Sequence, residues 1–197
     1  MCYELIKYKL NRICAYVKTI LVWKRIFGCV GKHTFIYSPR LIFGCKRIKI
    51  GSRTTIEKDS TLYSVSEFAG VVLDGEIIIG NNCYINHSFN VTCANSVIIE
   101  NNVTIAFNVA VFDNNHGINN ININYNKQPL QVNSSIKIAE GAWIGANCFI
   151  LASIGKGCVI GANSVITKPI PDYCIAVGNP ARVIKKYDFE KKEWIKV

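Results

Sequence analysis

The sequence predicts an all-β fold, a parallel β-coil with three flat sides, and three observations predict it. Between Ile138 and Ile166 an aliphatic residue returns at a spacing of six: Ile138, Ile144 and Ile150, then Ile154, Ile160 and Ile166. That period belongs neither to an amphipathic helix nor to an alternating strand. It fits a solenoid in which each side is one hexapeptide with its aliphatic residue pointing inward. Second, small residues stand four positions on, at Ala142, Cys148, Cys158 and Ser164, as a crowded interior requires. Third, the frame recurs upstream through Ile50, Ile56 and Leu62, through Ile79, Ile85, Val91 and Val97, and through Ile99, Ile105 and Val111. Gly or Ala follows the aliphatic at Ala139, Gly145, Gly155 and Gly161, which suits corners needing tight turns or positive φ.

In chain order, residues 1–30 form an N-terminal helical segment, with the helix itself over 3–26. Ile6, Leu10, Ile13, Val17 and Leu21 recur at helical spacing, and Lys7, Asn11, Lys18 and Arg25 hold another face. Arg12 and Lys18 interrupt the apolar residues, so no run reaches the roughly 20 residues of a membrane span. Two readings stand for this helix: it caps the coil or packs on a neighbouring subunit, or it lies peripherally on a membrane surface. The β-helical domain covers 31–186. A small excursion over 63–76 breaks its frame. A long loop over 112–135, rich in Asn and without period six, interrupts it again. A loop of that length inside a solenoid is uncommon unless it has a task. After Thr167 the prolines stop further winding. The charged tail 187–197, with Trp194 and Ile195, is expected to cover the open end as a cap, or a neighbour.

Half of the 197 residues are hydrophobic and 18% are charged, which describes one domain with a real core rather than a disordered chain. The nine cysteines are an odd number, and Cys83, Cys148 and Cys158 fall on repeat positions as small hydrophobes. With no cleavable signal peptide visible, a reduced cytoplasmic protein is expected, peripheral at the inner face of the membrane if the helix binds there. No CxxC pair occurs and the histidines His33, His87 and His116 include no close pair, so no metal is expected. The net charge of +10 is concentrated at the ends, Lys7 to Arg53 and Lys168 to Lys196. No nucleic-acid partner is expected. The charge serves solubility, or one end meets a polyanionic cofactor while the other sits near anionic lipid.

The long loop opens Asp113-Asn114-Asn115-His116-Gly117. Histidine is the side chain whose ordinary titration range suits a general base at neutral pH, and a neighbouring carboxylate fixes its tautomer. Asp113 is expected either to orient the imidazole or to hold the loop. Asn86, on the corner after Ile85, is expected to stack beneath the base of this loop and to bond a sugar hydroxyl or carbonyl. His87 beside it reads as a surface residue. The loop amides, Gln128 included, offer donors that suit sugars. No cysteine has a partner that would make it a nucleophile.

These residues match a family. Trp-Ile-Gly-Ala-Asn at 143–147, Ile-Gly-Ala-Asn-Ser-Val-Ile-Thr-Lys-Pro-Ile-Pro at 160–171, Ala-Val-Gly-Asn-Pro-Ala-Arg-Val-Ile at 176–184 and Asp-Asn-Asn-His at 113–116 resemble the hexapeptide-repeat acyltransferases. Within them the chain is similar to the sugar O-acetyltransferases of the galactoside/maltose type and their O-antigen and capsule relatives. The resemblance covers residues 35–186 and implies a left-handed parallel β-helix, a homotrimer with clefts between subunits, and acetyl-CoA as acyl donor without a metal. It assigns His116 the catalytic role and Asn86 and Asn115 the acceptor side. Ala146, Ala162, Thr167, Lys168 and Lys185 fall on the CoA side. It implies O-acetylation of a sugar hydroxyl in a bacterial surface polysaccharide or its precursor, by direct transfer. The alternative is N-acetylation of a nucleotide-linked amino sugar. The chain departs from the family in three places, one being the N-terminal region, where a basic apolar helix stands instead of the helical subdomain of the galactoside/maltose enzymes. The step from Ile150 to Ile154 is four rather than six, and Ala94 stands where simple galactoside enzymes carry an acceptor-binding acid.

Overall fold

The computed structural model describes residues 3–197; Met1 and Cys2, the start of the expected 1–30 segment, lie outside the described residues. The chain winds as a left-handed parallel β-helix with three faces. Face A stacks Cys29–Val30, Ile48–Ile50, Glu76–Ile79, Ser96–Ile99 and Ile136–Ile138, and bridges at Ile154 and Ile170 continue it. Face B stacks Phe35–Ile36, Thr55–Ile56, Tyr84–Ile85, Thr104–Ile105, Trp143–Ile144, Val159–Ile160 and Cys174–Gly178. Face C stacks Leu41–Phe43, Thr61–Ser64, Asn90–Cys93, Ala110–Phe112, Phe149–Ile150 and Val165–Ile166. The aliphatic positions read from the sequence form the core: Ile79, Ile85, Val91, Ile105, Val111, Ile144 and Ile150 are each at most 1% exposed. Burying such a column removes apolar surface from water at every level, at about 25 cal/mol per Å².

The coil is not uniform. Ile85 pairs with Ile105 and Val91 with Val111, 20 positions on. Near the C-terminus Ile144 pairs with Ile160 and Ile150 with Ile166, 16 positions on. The four-residue step after Ile150 is therefore not a defect. It recurs after Ile166, where Ile170 still stacks on Ile154, and it tightens the edge between faces C and A. Winding thus continues past Pro169 and Pro171, beyond the expected stop at Thr167. Both prolines sit on edges, and the ladder bond between them is made by Ile170, which donates to Ser153 O.

Two residue types make the corners, with different reasons. The residues at positive φ are mostly not the glycines that follow the aliphatics but the third residues of the turns, including Asn82, Asn102, Asn108, Asn147 and Asn163. Asn tolerates that geometry better than other non-glycine residues. Their amides also bond from coil to coil, as in Asn108 Nδ2 to Asn147 Oδ1 at 2.9 Å. Gly145 instead answers a packing demand: a Cβ there would lie 2.6 Å from Ala162 N on the next coil.

The N-terminal helix, Tyr3–Lys18, runs on as a wider π turn over Thr19–Trp23 and a last helical turn over Lys24–Ile26. It closes the first coil: Thr19 Oγ1 accepts from Ile36 N–H at 3.0 Å, and Tyr16 meets Phe35 at 5.3 Å. At the other end Ala181–Asp188 turns back antiparallel on Cys174–Gly178, and Glu193–Lys196 adds a further strand. Tyr187 packs edge-on against Trp194.

Candidate active site

Both departures from the repeat leave from the same edge, the one between faces C and A. The first, after Thr61–Ser64, is a hairpin of Glu67–Phe68 and Val71–Val72. Ala69 and Gly70 form its two-residue turn with φ of 50° and 77°, the left-handed pair such a turn demands. Arg47 fastens its base, donating from Nε to Ser64 Oγ at 2.8 Å and pairing with Asp74 at 3.7 Å. The second is the Asn-rich loop. Its neck is an antiparallel pair, Asn114–Asn115 on Gln131–Val132. The tip of the hairpin reaches the start of the loop, and Phe68 meets the His116 ring edge-on at 5.3 Å between centroids.

Asp113 is fully buried. Its carboxylate accepts from Ala94 N–H at 2.7 Å, Asn95 N–H at 2.9 Å and Asn114 Nδ2 at 2.8 Å, and the Cys93 thiol donates to it at 3.2 Å. None of these partners is His116. Of the two roles expected for Asp113, the geometry is that of holding the loop, by tying its root to the Cys93–Asn95 corner one coil below. Ala94 contributes its backbone N–H to this tie and its side chain is buried. Burial and the Asp113 charge push the Cys93 thiol far above its ordinary range. Burial likewise pushes up Cys83, Cys148, Cys158 and Cys174. Such thiols are inert.

Gln128, counted among the amides open to a sugar, is spent inside the loop. It is buried, donates to Asn120 O and Ile123 O at 2.8 Å each, and accepts from Asn120 N–H. Gly117 is needed next to His116 because a Cβ would lie 2.4 Å from Pro129 O across the loop. His116 and Asn115 are both exposed. Beside them a groove of about 420 Å³ runs along the C/A edge, lined by Asn115, Ser134, Leu151, Ser153, Thr167 and Pro169. The short corners that shrink the last coils form its floor.

The expected stacking of Asn86 beneath this loop does not occur within the chain. Asn86 lies on the B/C edge, in one column with Glu57, Ala106, Gly145 and Gly161. Ala146 and Ala162 are on that edge too, joined by Asn163 N–H to Ala146 O at 2.8 Å. Face C stands between the two edges. The sequence-derived site residues therefore fall into two groups: Asp113, Asn115, His116, Thr167 and Lys168 on one edge, Asn86, Ala146 and Ala162 on the other. Lys185 belongs to neither; it is exposed on the returning strand, opposite Ile175. On the B/C edge the Asn86 Oδ1 accepts from His87 N–H at 2.7 Å, and His87 stacks on Phe107 at 5.4 Å and 8°. Burial pushes the Glu57 carboxyl up, against a hydrogen bond to Tyr84 that lowers it. Among the described residues no three His, Cys, Asp or Glu side chains are grouped to hold a metal ion.

A family model described as the hexapeptide repeat of succinyl-transferase matches residues 135–168. The galactoside O-acetyltransferase of Lactococcus lactis is 32% identical over 142 residues, 58% of this chain and 69% of that one. WbbJ of Escherichia coli, whose name provisionally assigns it to lipopolysaccharide O-acetylation, is 34% identical over 62% of this chain and 66% of its own. YJL218W of Saccharomyces cerevisiae, provisionally named an acetyltransferase, is 37% identical over 56% of each chain. The chain thus spans between about half and somewhat over two thirds of these relatives. Among solved structures, AntD of Bacillus cereus, an N-acyltransferase in complex with dTDP and 3-hydroxybutyryl-CoA, superposes with a TM-score of 0.71 at 18% identity, covering 90% of this chain and 92% of that one. VCA0836 of Vibrio cholerae, a hexapeptide-repeat acetyltransferase, does so with 0.60 at 19% identity, covering 93% and 87%.

The three-faced coil is the fold these solved structures share with the chain. The chain belongs to the hexapeptide-repeat acyltransferase family.

Proposed function

We propose that the protein transfers an acetyl group from acetyl-CoA to a sugar hydroxyl of a bacterial surface polysaccharide or its precursor. The observation that carries this reading is the position of His116: an exposed imidazole, in ring contact with Phe68, next in sequence to Asn115, which lines a groove together with Thr167. The sugar oxygen attacks the thioester carbonyl as His116 takes its proton. The tetrahedral oxyanion collapses, the C–S bond breaks, and His116 returns the proton to the leaving thiolate. No acyl-enzyme forms, in keeping with the burial of Cys83, Cys93, Cys148, Cys158 and Cys174 inside the coil. The O-acetyltransferase names of the Lactococcus and Escherichia relatives support the acceptor class.

The two-edge layout supports a homotrimer as the working unit. Thr167 and Ala162 lie on different edges of one prism, so a cleft that uses both edges needs the C/A edge of one subunit against the B/C edge of the next. Thr167 and Lys168 would then face the Ala146–Ala162 column across the interface, with the thioester between. Lys185, exposed on the returning strand, would offer a cation to a CoA phosphate.

His116→Ala is expected to lower kcat at least about 100-fold, the scale of a lost general base, with the melting temperature unchanged. Acetyl transfer near the wild-type rate in that variant would overturn the assignment. The same assay run with dTDP- and UDP-linked amino sugars tests N-acylation, the chemistry named for AntD.

A further inference from the structure

The N-terminal helix turns the wrong face to the body. At about 100° per residue, Ile6, Leu10, Ile13 and Val17 form one narrow stripe, and they are 40–60% exposed. Ala15 and Thr19, from the opposite side, are the residues buried on the first coil, at 6% and 1%. Thr19 is pinned there by two bonds: its hydroxyl donates to Ala15 O at 2.7 Å and accepts from Ile36 N–H. The helix therefore closes the coil with its small side and points its large apolar side outward. The stripe continues onto the π turn through Ile20, Leu21 and Val22, also exposed.

Charge selects the occupant. Lys7 and Lys18 flank the stripe on one side and Lys9 on the other, while Arg12 lies over the Phe35 ring of the first coil at 4.6 Å. From Leu5 to Ile56 the sequence has no Asp or Glu, while 12 Lys and Arg fall between Lys7 and Arg53. A second copy of the helix would bring these like charges together. An acidic surface with an apolar interior satisfies both the stripe and its flanks. The helix has no stretch long and apolar enough to cross a bilayer.

We propose that the exposed stripe of the N-terminal helix docks in the plane of an anionic lipid bilayer, with Lys7, Lys9 and Lys18 at headgroup level. This rests on the helix alone and is independent of the acyltransfer reading.

The test is flotation of the full chain with vesicles of phosphatidylglycerol and phosphatidylethanolamine, against vesicles of phosphatidylcholine. The expected result is at least about tenfold more protein on the anionic vesicles, falling as salt shortens the screening length. Leu10→Asn with Val17→Asn is expected to lower the bound fraction at least about tenfold while the circular dichroism spectrum and melting temperature stay nearly unchanged, since neither side chain belongs to the buried core. Equal or absent binding to the two vesicle types would overturn the proposal. So would undiminished binding by the double variant, or a fall of that variant to a smaller oligomer, which would make the stripe a subunit contact.

Discussion

The exposed imidazole of His116 has one ring against it. Phe68 approaches His116 edge-on from a hairpin that leaves the solenoid two coils earlier. An exposed histidine on a long loop has rotamers to lose, and a ring against one side removes some of them. Phe68→Ala is expected to lower kcat about tenfold to 100-fold with the melting temperature nearly unchanged, because misplacement of a reacting group by about 1 Å costs on that scale. Phe68→Tyr should restore most of the rate, and steady-state kinetics of the pair separates bracing from mere bulk. An unaltered kcat in Phe68→Ala would mean that the contact does not position the base. That His116 stands at the opening of a long loop was legible in the sequence, because the period of six stops there. Phe68 was not, since nothing in a broken frame over 63–76 says which way a hairpin will lean. Gln128 was misread for a related reason: composition counts an amide as open, whereas only the folded loop reveals that its donors go to Asn120 and Ile123.

At the scale of the element, the loop is anchored at its root rather than along its length. Asp113 is where the chain leaves the frame, in register with Cys93, and its carboxylate gathers the backbone N–H groups of the short corner below. Asn95 and Asn133 close the neck from the other side, Asn95 Nδ2 donating to Asn133 O at 3.3 Å. Asp113→Asn turns one acceptor oxygen into a donor that must face a backbone N–H or the Cys93 thiol. A buried mismatch of that kind costs about 3 kcal/mol, so the melting temperature should fall by about 6–12 °C for a chain of this size. Calorimetry checks it; a shift under about 2 °C would remove the anchoring role. The pattern of six made the strands readable and the Ile150–Ile154 step visible. The shared edge of hairpin, loop and groove followed only from counting faces: each strand in a coil of three names the edge that follows it, and both departures come after face C.

For the whole molecule, that count separates what a single chain can do from what an assembly can. Asn86 follows face B and His116 follows face C, so proximity along the coil, which made the two look like neighbours, gives way to the width of a prism face. If each active site joins the C/A edge of one subunit to the B/C edge of the next, the two residues work in the same site while belonging to different chains. Variants that are each defective, His116→Ala and Asn86→Ala, should then complement one another. Unfolded together in equal amounts and refolded, they give mixed trimers in which a site is intact when its C/A edge comes from the Asn86→Ala chain and its B/C edge from the His116→Ala chain. Random assembly makes that about one site in four, so the mixture should recover about a quarter of wild-type activity, whereas each variant refolded alone recovers none beyond its own residual rate. A mixture no more active than the average of its two components would place both residues in one chain's site, and with it would fall the apposition of edges on which the trimeric cleft depends.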